Sequence, residues 1–193
     1  MTSVTDVTFG AMRCFGDGDP LYETYHDTEW GIPVRDDAAL YERLCLEAFQ
    51  SGLAWITILR KREAFRAAFA GFDPAAVASF TDDDVVRLLG DAAIVRNRAK
   101  ITAAIANARA VVALQESGGS LTELIWSHAP APRPRPETYA DVPSQTPESV
   151  ALAKALKAAG FRFIGPTTAY ATMQACGVVD DHLVGCSARP PSR

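Results

Sequence analysis

Histidine and cysteine are scarce in this sequence, which has three of the first and four of the second in 193 residues. A small secreted scaffold stapled by disulfides needs a denser cysteine framework, so that class is set aside. The opening "MTSVTDVTFGAMR" lacks the charge-then-apolar order of a secretory leader, and a reducing cytoplasmic setting is expected. No run approaches the roughly 18 consecutive apolar residues that would cross a bilayer, which argues against a membrane role. An excess of basic charge is missing too. The formal net charge is −4, so any contact with phosphate has to be local. Two clusters could supply it, "RKR" (Arg60 to Arg62) and "RNRAK" (Arg96 to Lys100), although such clusters are ordinarily solvated helix faces. Repeats of fixed period and sustained strand alternation are also absent.

What is present is helical periodicity with start and stop signals. From Asp36 to Leu53, Leu40, Leu44 and Ala48 form a stripe broadened by Leu46 and Phe49, with Asp36 or Asp37 as the cap. The segment from Trp55 to Phe72 continues helically and stops near Gly71, and Asp73 followed by Pro74 restarts a short helix. Thr81 caps "DDDVVRLLG", whose acids suit a helix N-terminus, and a tight turn leads into the long amphipathic "NRAKITAAIANARAVVALQESGG". Thr146 to Gly160 and Pro166 to Gly177 repeat the pattern. An all-α chain follows, with 48% hydrophobic residues available for a core.

The expected organisation is a single chain with a loose tail at 1–11 and a helical lobe at 36–128 with a turn near 84–100. The prolines at 130, 132, 134, 136 and 143 make 129–145 an extended strap over the surface, and a second lobe combines 12–35 with 146–187.

Two constellations could carry chemistry. Cys45 and Cys176 fall in apolar stripes and His128 precedes the strap, which leaves Cys14 and His26 near one end and His182 and Cys186 near the other. His182 and Cys186, spaced i and i+4, would share one face of a helical turn, and four such ligands could close a tetrahedral zinc site. Packing is the competing account, since buried cysteines behave as small apolar groups. The second constellation is "YHDTEWG" with "LEAFQSGLAW", where Tyr25, Trp30 and Trp55 accompany one carboxylate, Glu47. Core packing explains such rings, and so does a purse that stacks on a flat heterocycle and accepts hydrogen bonds from its edge.

The strings "RC", "DPLY..YHD.EWG.P", "LCLEAFQSGLAWITILRKRE.FR.AF..FDP", "DVVRLL.DA.IVRNR.KI.A.I.NARA" and "LAKALKAAGFRFIGPTTAYATMQACG.V.DH", with the last cysteine, together resemble the DNA-3-methyladenine glycosylase I family from Arg13 to Cys186. The resemblance implies a helix-hairpin-helix glycosylase fold, with the hairpin on "LLGDAAIVRNR". It also implies a structural zinc ion joining the terminal segments through Cys14, His26, His182 and Cys186. By the same resemblance, Glu47 hydrogen-bonds the modified base, Tyr25 and Trp55 form its pocket, and Trp30 supports the walls. Gly52 and Leu53 would enter the gap left by the extruded nucleotide, with Arg96, Arg98 and Lys100 as helpers at phosphates. The family carries a tryptophan shortly after its first cysteine; "RCFGDG" is one residue shorter here, and Phe15 is the ring available to replace it.

The implied activity is excision of 3-methyladenine from double-stranded alkylated DNA by a monomeric, monofunctional enzyme that leaves an abasic site. Two rivals remain: a zinc-stabilised nucleic-acid binding module without catalysis, and an enzyme whose zinc is itself catalytic.

Overall fold

The computed structural model describes residues 12–188; the expected tail at 1–11 lies outside them. Among the described residues the regular structure is helical, with no strand: α1 (Pro20–Thr28), α2 (Asp37–Gln50), α3 (Trp55–Ala68), α4 (Pro74–Ala78), α5 (Asp82–Gly90), α6 (Arg98–Glu116), α7 (Leu121–Trp126), α8 (Pro147–Ala158) and α9 (Pro166–Ala175). Side-chain caps fix most starts. Asp19 accepts from Leu21 and Tyr22 N–H, Asp36 from Ala39 N–H, Asp73 from Ala75 N–H, and Asn97 from Lys100 N–H. Asp84 accepts the Thr81 N–H at 3.0 Å, completing a reciprocal cap on α5. Proline stands at the first position of α1, α4, α8 and α9, where its missing N–H costs nothing.

The centre is α2, which packs against α3, α6, α7 and α9, while α4 and α5 lie on α6 and α8 pairs with α9. Leu40, Tyr41, Leu44 and Phe49 on α2 are fully enclosed, and the same apolar cluster continues through Phe65, Ile101, Leu152 and Met173. Phe49, Phe65, Phe69 and Phe72 form a row of touching rings beneath the α3–α4 bend. This core therefore joins the early and late helices into one body.

The proline-rich segment follows an extended path interrupted by one 3₁₀ turn at Tyr139–Asp141. It is tied down by charge: Arg133 donates to Tyr170 Oη and Asp181 Oδ1, both at 2.6 Å, and Arg135 Nε donates to Asp180 Oδ2 at 2.9 Å.

One half-buried carboxylate holds α7. Asp37 accepts from Thr122 Oγ1 at 2.7 Å, Thr122 N–H at 2.8 Å, Leu121 N–H at 3.2 Å and Gln115 Nε2 at 2.9 Å. Burial works against its charge, but these hydrogen bonds outweigh it and hold the carboxyl below its ordinary value. A depressed acid stabilises above its unfolded pKa and loses that contribution as pH falls through the folded one. Asp37→Ala is expected to cost about 1–3 kcal/mol at pH 7 by urea unfolding, with the difference from wild type shrinking in acid.

Candidate active site and metal centre

Glu47 sits on the inner face of α2, only 7% exposed, on the wall of a cavity of about 110 Å³. Tyr25 from α1, Trp55 from α3 and Ala175 from α9 close it, and Arg43, one helical turn before Glu47, also lines it. The carboxylate accepts no hydrogen bond from the described residues, while burial pushes its pKa from 4.5 up to about 8, against the opposing charge of Arg43. Burial, reinforced by Glu47, also holds the Tyr25 phenol well above its usual range. The Tyr25 and Trp55 rings are 5.3 Å apart and inclined at 44°, so they make one continuous wall with no room for a third ring between them. Trp55 Nε1 is buried there without a partner. Drug-sized ligands need pockets of roughly 300 Å³ or more; this space suits one small flat heterocycle.

The far end of the cavity is charged. Arg62 makes a two-pronged pair with Glu29 at 2.6 and 2.9 Å, and Arg66 Nε reaches Glu42 at 2.8 Å. Phe15, the ring offered for stacking on the base, and Trp30, expected to support the walls, do not line the cavity. Phe15 packs edge-on against His26 and Trp30, and Trp30 packs against His182 at 4.6 Å, so both stand behind the wall. Their rings are drawn to the paired histidines, which offer edges for T-shaped contacts.

Just before Trp55 in the chain, the turn between α2 and α3 presents Ser51, Gly52 and Leu53 to solvent, with Leu53 42% exposed. Arg96 and Arg98 are exposed at the start of α6. Lys100 differs from the expectation of a phosphate contact: it is buried, and Nζ donates to Phe49 O at 2.9 Å and Ser51 O at 2.6 Å. The last carbonyls of a helix lack partners within it, and a lysine placed there satisfies them. Lys100 thus fastens the Leu53 turn. Lys61 does the same for the α5–α6 turn, donating to Ala92 O and Ala93 O.

Behind Tyr25 the terminal segments meet. Donor atoms of Cys14, His26 and Cys186 lie within 4.8 Å of one another, all buried. His182 stands beside them, its ring 5.3 Å from that of His26. Its Nδ1 lies 2.8 Å from Asp180 Oδ1, which places the proton on Nδ1 and leaves Nε2 with a lone pair. That Nε2 is buried without a partner. His26 has the same arrangement, with Nδ1 2.8 Å from Asp27, and burial lowers its pKa, favouring the neutral ring that a metal requires. Cys14, His26 and Cys186 are thus brought together, while His182 stands alongside with its unpartnered Nε2 rather than within that trio; the donor types, two thiols and two imidazoles oriented by carboxylates, are those that suit zinc. Burial opposes the Asp180 charge, yet hydrogen bonds from His182 and Arg135 hold it down at about 2.

His182 and Cys186 do not share a helical turn as their spacing suggests. The chain from Asp180 to Cys186 is a loop, because its N–H groups find other acceptors: Leu183 N–H donates to Cys14 Sγ and Val184 N–H to Pro136 O. Two glycines let this loop dock. Gly31 (φ +79°) has no room for a Cβ, which would meet His182 Cε1 at 2.5 Å, and a Cβ on Gly177 (φ +69°) would strike Gly31 O and Pro33 N at 2.6 Å.

Residues 15–189 match the family model described as methyladenine glycosylase. The chain belongs to this family. It is 48% identical over 178 residues to DNA-3-methyladenine glycosylase 1 of Escherichia coli (strain K12), covering 91% of this chain and 95% of that protein. Among solved structures, a 3-methyladenine DNA glycosylase I is similar at a TM-score of 0.90 and 47% identity, over 93% of this chain and 100% of the other. The enzyme from Staphylococcus aureus, solved for its recognition of 3-methyladenine, is similar at 0.89 and 37%, over 95% and 100%.

Sequence reasoning missed Arg43, Asp27 and Asp180 in this family's site. Each had a weak signal: Arg43 stands four residues before Glu47, and the aspartates accompany the two histidines in "YHD" and "DDH". Gly31→Ala is expected to displace His182 and lower the thermal midpoint by several degrees, which calorimetry on the purified protein checks.

Proposed function

We propose that this chain is a DNA repair glycosylase that flips 3-methyladenine out of double-stranded DNA and hydrolyses its N-glycosidic bond, leaving an abasic site. The observation that carries this reading is the Glu47 carboxyl group, enclosed beside Tyr25 and Trp55 with no protein partner of its own. A buried, unpaired acid favours a ligand that brings positive charge and N–H donors. Methylation at the third ring nitrogen makes adenine cationic within DNA. Normal adenine is neutral and gives the carboxylate no charge to pair with.

The same charge weakens the bond to the sugar, whose electron pair leaves with the base as a neutral molecule, so strong acid catalysis is unnecessary. Water then adds to the anomeric carbon and loses a proton to solvent. Glu47 stabilises the cationic base and accepts from its exocyclic amine, while Tyr25 and Trp55 pack against its face. The cavity lining contains no lysine, which supports a monofunctional enzyme rather than one that forms a Schiff base.

Cys14, His26, His182 and Cys186 would hold a zinc ion whose contribution is structural, since four protein ligands leave no open position. The α5–α6 turn serves as the hairpin of a helix-hairpin-helix unit, its backbone N–H groups facing a phosphate with Arg96 and Arg98 nearby. Leu53 fills the space vacated by the nucleotide. The enzyme acts as a monomer on DNA in the cytoplasm.

The direct test incubates purified protein with methylated duplex DNA and identifies released bases by chromatography; DNA binding without any released 3-methyladenine overturns the reading. Glu47→Gln is expected to lower excision at least tenfold. A raised acid pKa penalises folding only where the unfolded carboxyl ionises, so the penalty is absent below 4.5, grows towards 8 and is complete above it. The variant should therefore be more stable than wild type at pH 8, by on the order of a few kcal/mol, and indistinguishable at pH 4.

Salt titrations of duplex binding separate the basic residues. Arg96→Ala and Arg98→Ala should each reduce the slope of log affinity against log salt by about 0.9. Lys100→Met should leave that slope unchanged while lowering stability by about 1–3 kcal/mol.

A further inference from the structure

The loop from Gly160 to Gly165, between α8 and α9, has features that neither the cavity nor the metal cluster uses. Phe163 in it is 44% exposed and adopts φ +63°, a left-handed conformation that bulky side chains avoid. Three non-glycine residues among those described have positive φ. Phe72 is buried and Ala70 is small, so Phe163 alone combines the strain with an aromatic ring in solvent. Strain of this kind persists only where the surroundings impose it. Here Asn107, buried on α6, clamps the preceding residue from both sides: its Oδ1 accepts the Arg162 N–H at 2.7 Å and its Nδ2 donates to Arg162 O at 3.2 Å. Phe161 anchors in the core, and the chain returns to α9 at Gly165.

The position of this loop links it to the Leu53 turn. Lys100 Nζ, which holds Ser51 O at 2.6 Å, lies 5.9 Å from the centre of the Phe163 ring. One ammonium group, in the first turn of α6 with Arg98, therefore spans the Leu53 turn and the Phe163 loop, and both apolar side chains are exposed. Beside Phe163 lies a shallow depression of about 620 Å³ lined by the exposed Lys157 and Arg162. Neither cation enters an ion pair among the described residues. Aromatic rings next to unpaired cations are how proteins hold unstacked nucleic acid: the ring takes a base and the cations take phosphates.

We propose that the Gly160–Gly165 loop is a second DNA-contacting element, in which Phe163 stacks on a base laid open next to the Leu53 turn while Arg162 and Lys157 bind phosphates. This rests on the glycosylase reading, and adds to it a contact on the duplex outside the base cavity.

The test uses the full chain with three readouts: anisotropy of a duplex carrying a tetrahydrofuran abasic-site analogue, release of 3-methyladenine from methylated DNA, and binding of free 3-methyladenine. Phe163→Gly removes the ring and relieves the strain, so its thermal midpoint should match or exceed that of wild type. Duplex affinity should nevertheless fall about tenfold, excision at subsaturating DNA should fall in parallel, and binding of the free base should be unchanged. Phe163→Ala should reproduce the loss of duplex affinity. Duplex affinity within twofold of wild type overturns the proposal, as does equal weakening of duplex and free base, which would mean that the loop acts through the cavity. Wild-type protein that releases no 3-methyladenine overturns the glycosylase reading and this proposal with it, whereas normal release by both proteins with unchanged duplex affinity defeats the loop alone.

Discussion

The rest of the structure depends on keeping the Glu47 carboxyl group out of water. An acid in that position destabilises the folded chain at neutral pH, and the surrounding helices have to outweigh the penalty. They do so by enclosing it on every side but that of the cavity. The residues flanking Glu47 on α2, Leu44, Leu46, Ala48 and Phe49, are themselves buried against α3, α6 and α9. The cavity wall is apolar around Tyr25, Leu46 and Trp55, and Arg62 and Arg66, each paired with a carboxylate, stand at its charged end. A carboxyl group that burial keeps from ionising until a cationic partner arrives discriminates by electrostatics before any hydrogen bond is counted.

The termini explain why the enclosure holds. Tyr25 and His26 are consecutive on α1, so their side chains diverge by about 100° around the helix. Tyr25 faces the cavity and His26 the cluster with Cys14 and Cys186. Fixing His26 fixes Tyr25. The strap adds a second fastening, since Arg135 holds Asp180, Asp180 orients His182, and the Tyr139 hydroxyl donates to the Cys14 carbonyl. A segment that reads as a linker by its prolines thus works as a clamp on the loop that carries His182 and Cys186.

Periodicity and caps made the helices of the core legible, because apolar stripes on α2, α6, α8 and α9 report the faces they bury. Two short helices escaped. α1 is mostly polar and buries only Tyr25 and His26, so it has no stripe, although Asp19–Pro20 is the same start signal as the legible Asp73–Pro74. α7 is six residues long, less than two turns, and its start depends on Asp37 from a distant helix. The site residues were legible as types but not as partners. Lys100 reads as one more cation in "RNRAK", and nothing local reveals that α2 ends beside it. Likewise the i, i+4 spacing of His182 and Cys186 carries no information about the thiol and strap that capture the intervening N–H groups.

An acidic chain that engages DNA has to concentrate its unpaired cations, and the pairing pattern does this. Arg13, Arg60, Arg62, Arg66, Arg87, Arg133 and Arg135 are all engaged with carboxylates. Lys61 and Lys100 are turned inward to carbonyls, where they shape the two turns instead of meeting solvent. Of the cations left exposed without a carboxylate, Arg35 lies over the Trp126 ring and Lys154 stands on α8, while Arg96, Arg98, Lys157 and Arg162 gather at the start of α6 and around the loop that Asn107 ties to the same helix. Net charge averages over groups that cancel within about a Debye length, whereas a phosphate samples only those within that distance. The value of −4 therefore describes the solubility of the chain, and the cations around the N-terminal half of α6 describe where it would meet a nucleic acid.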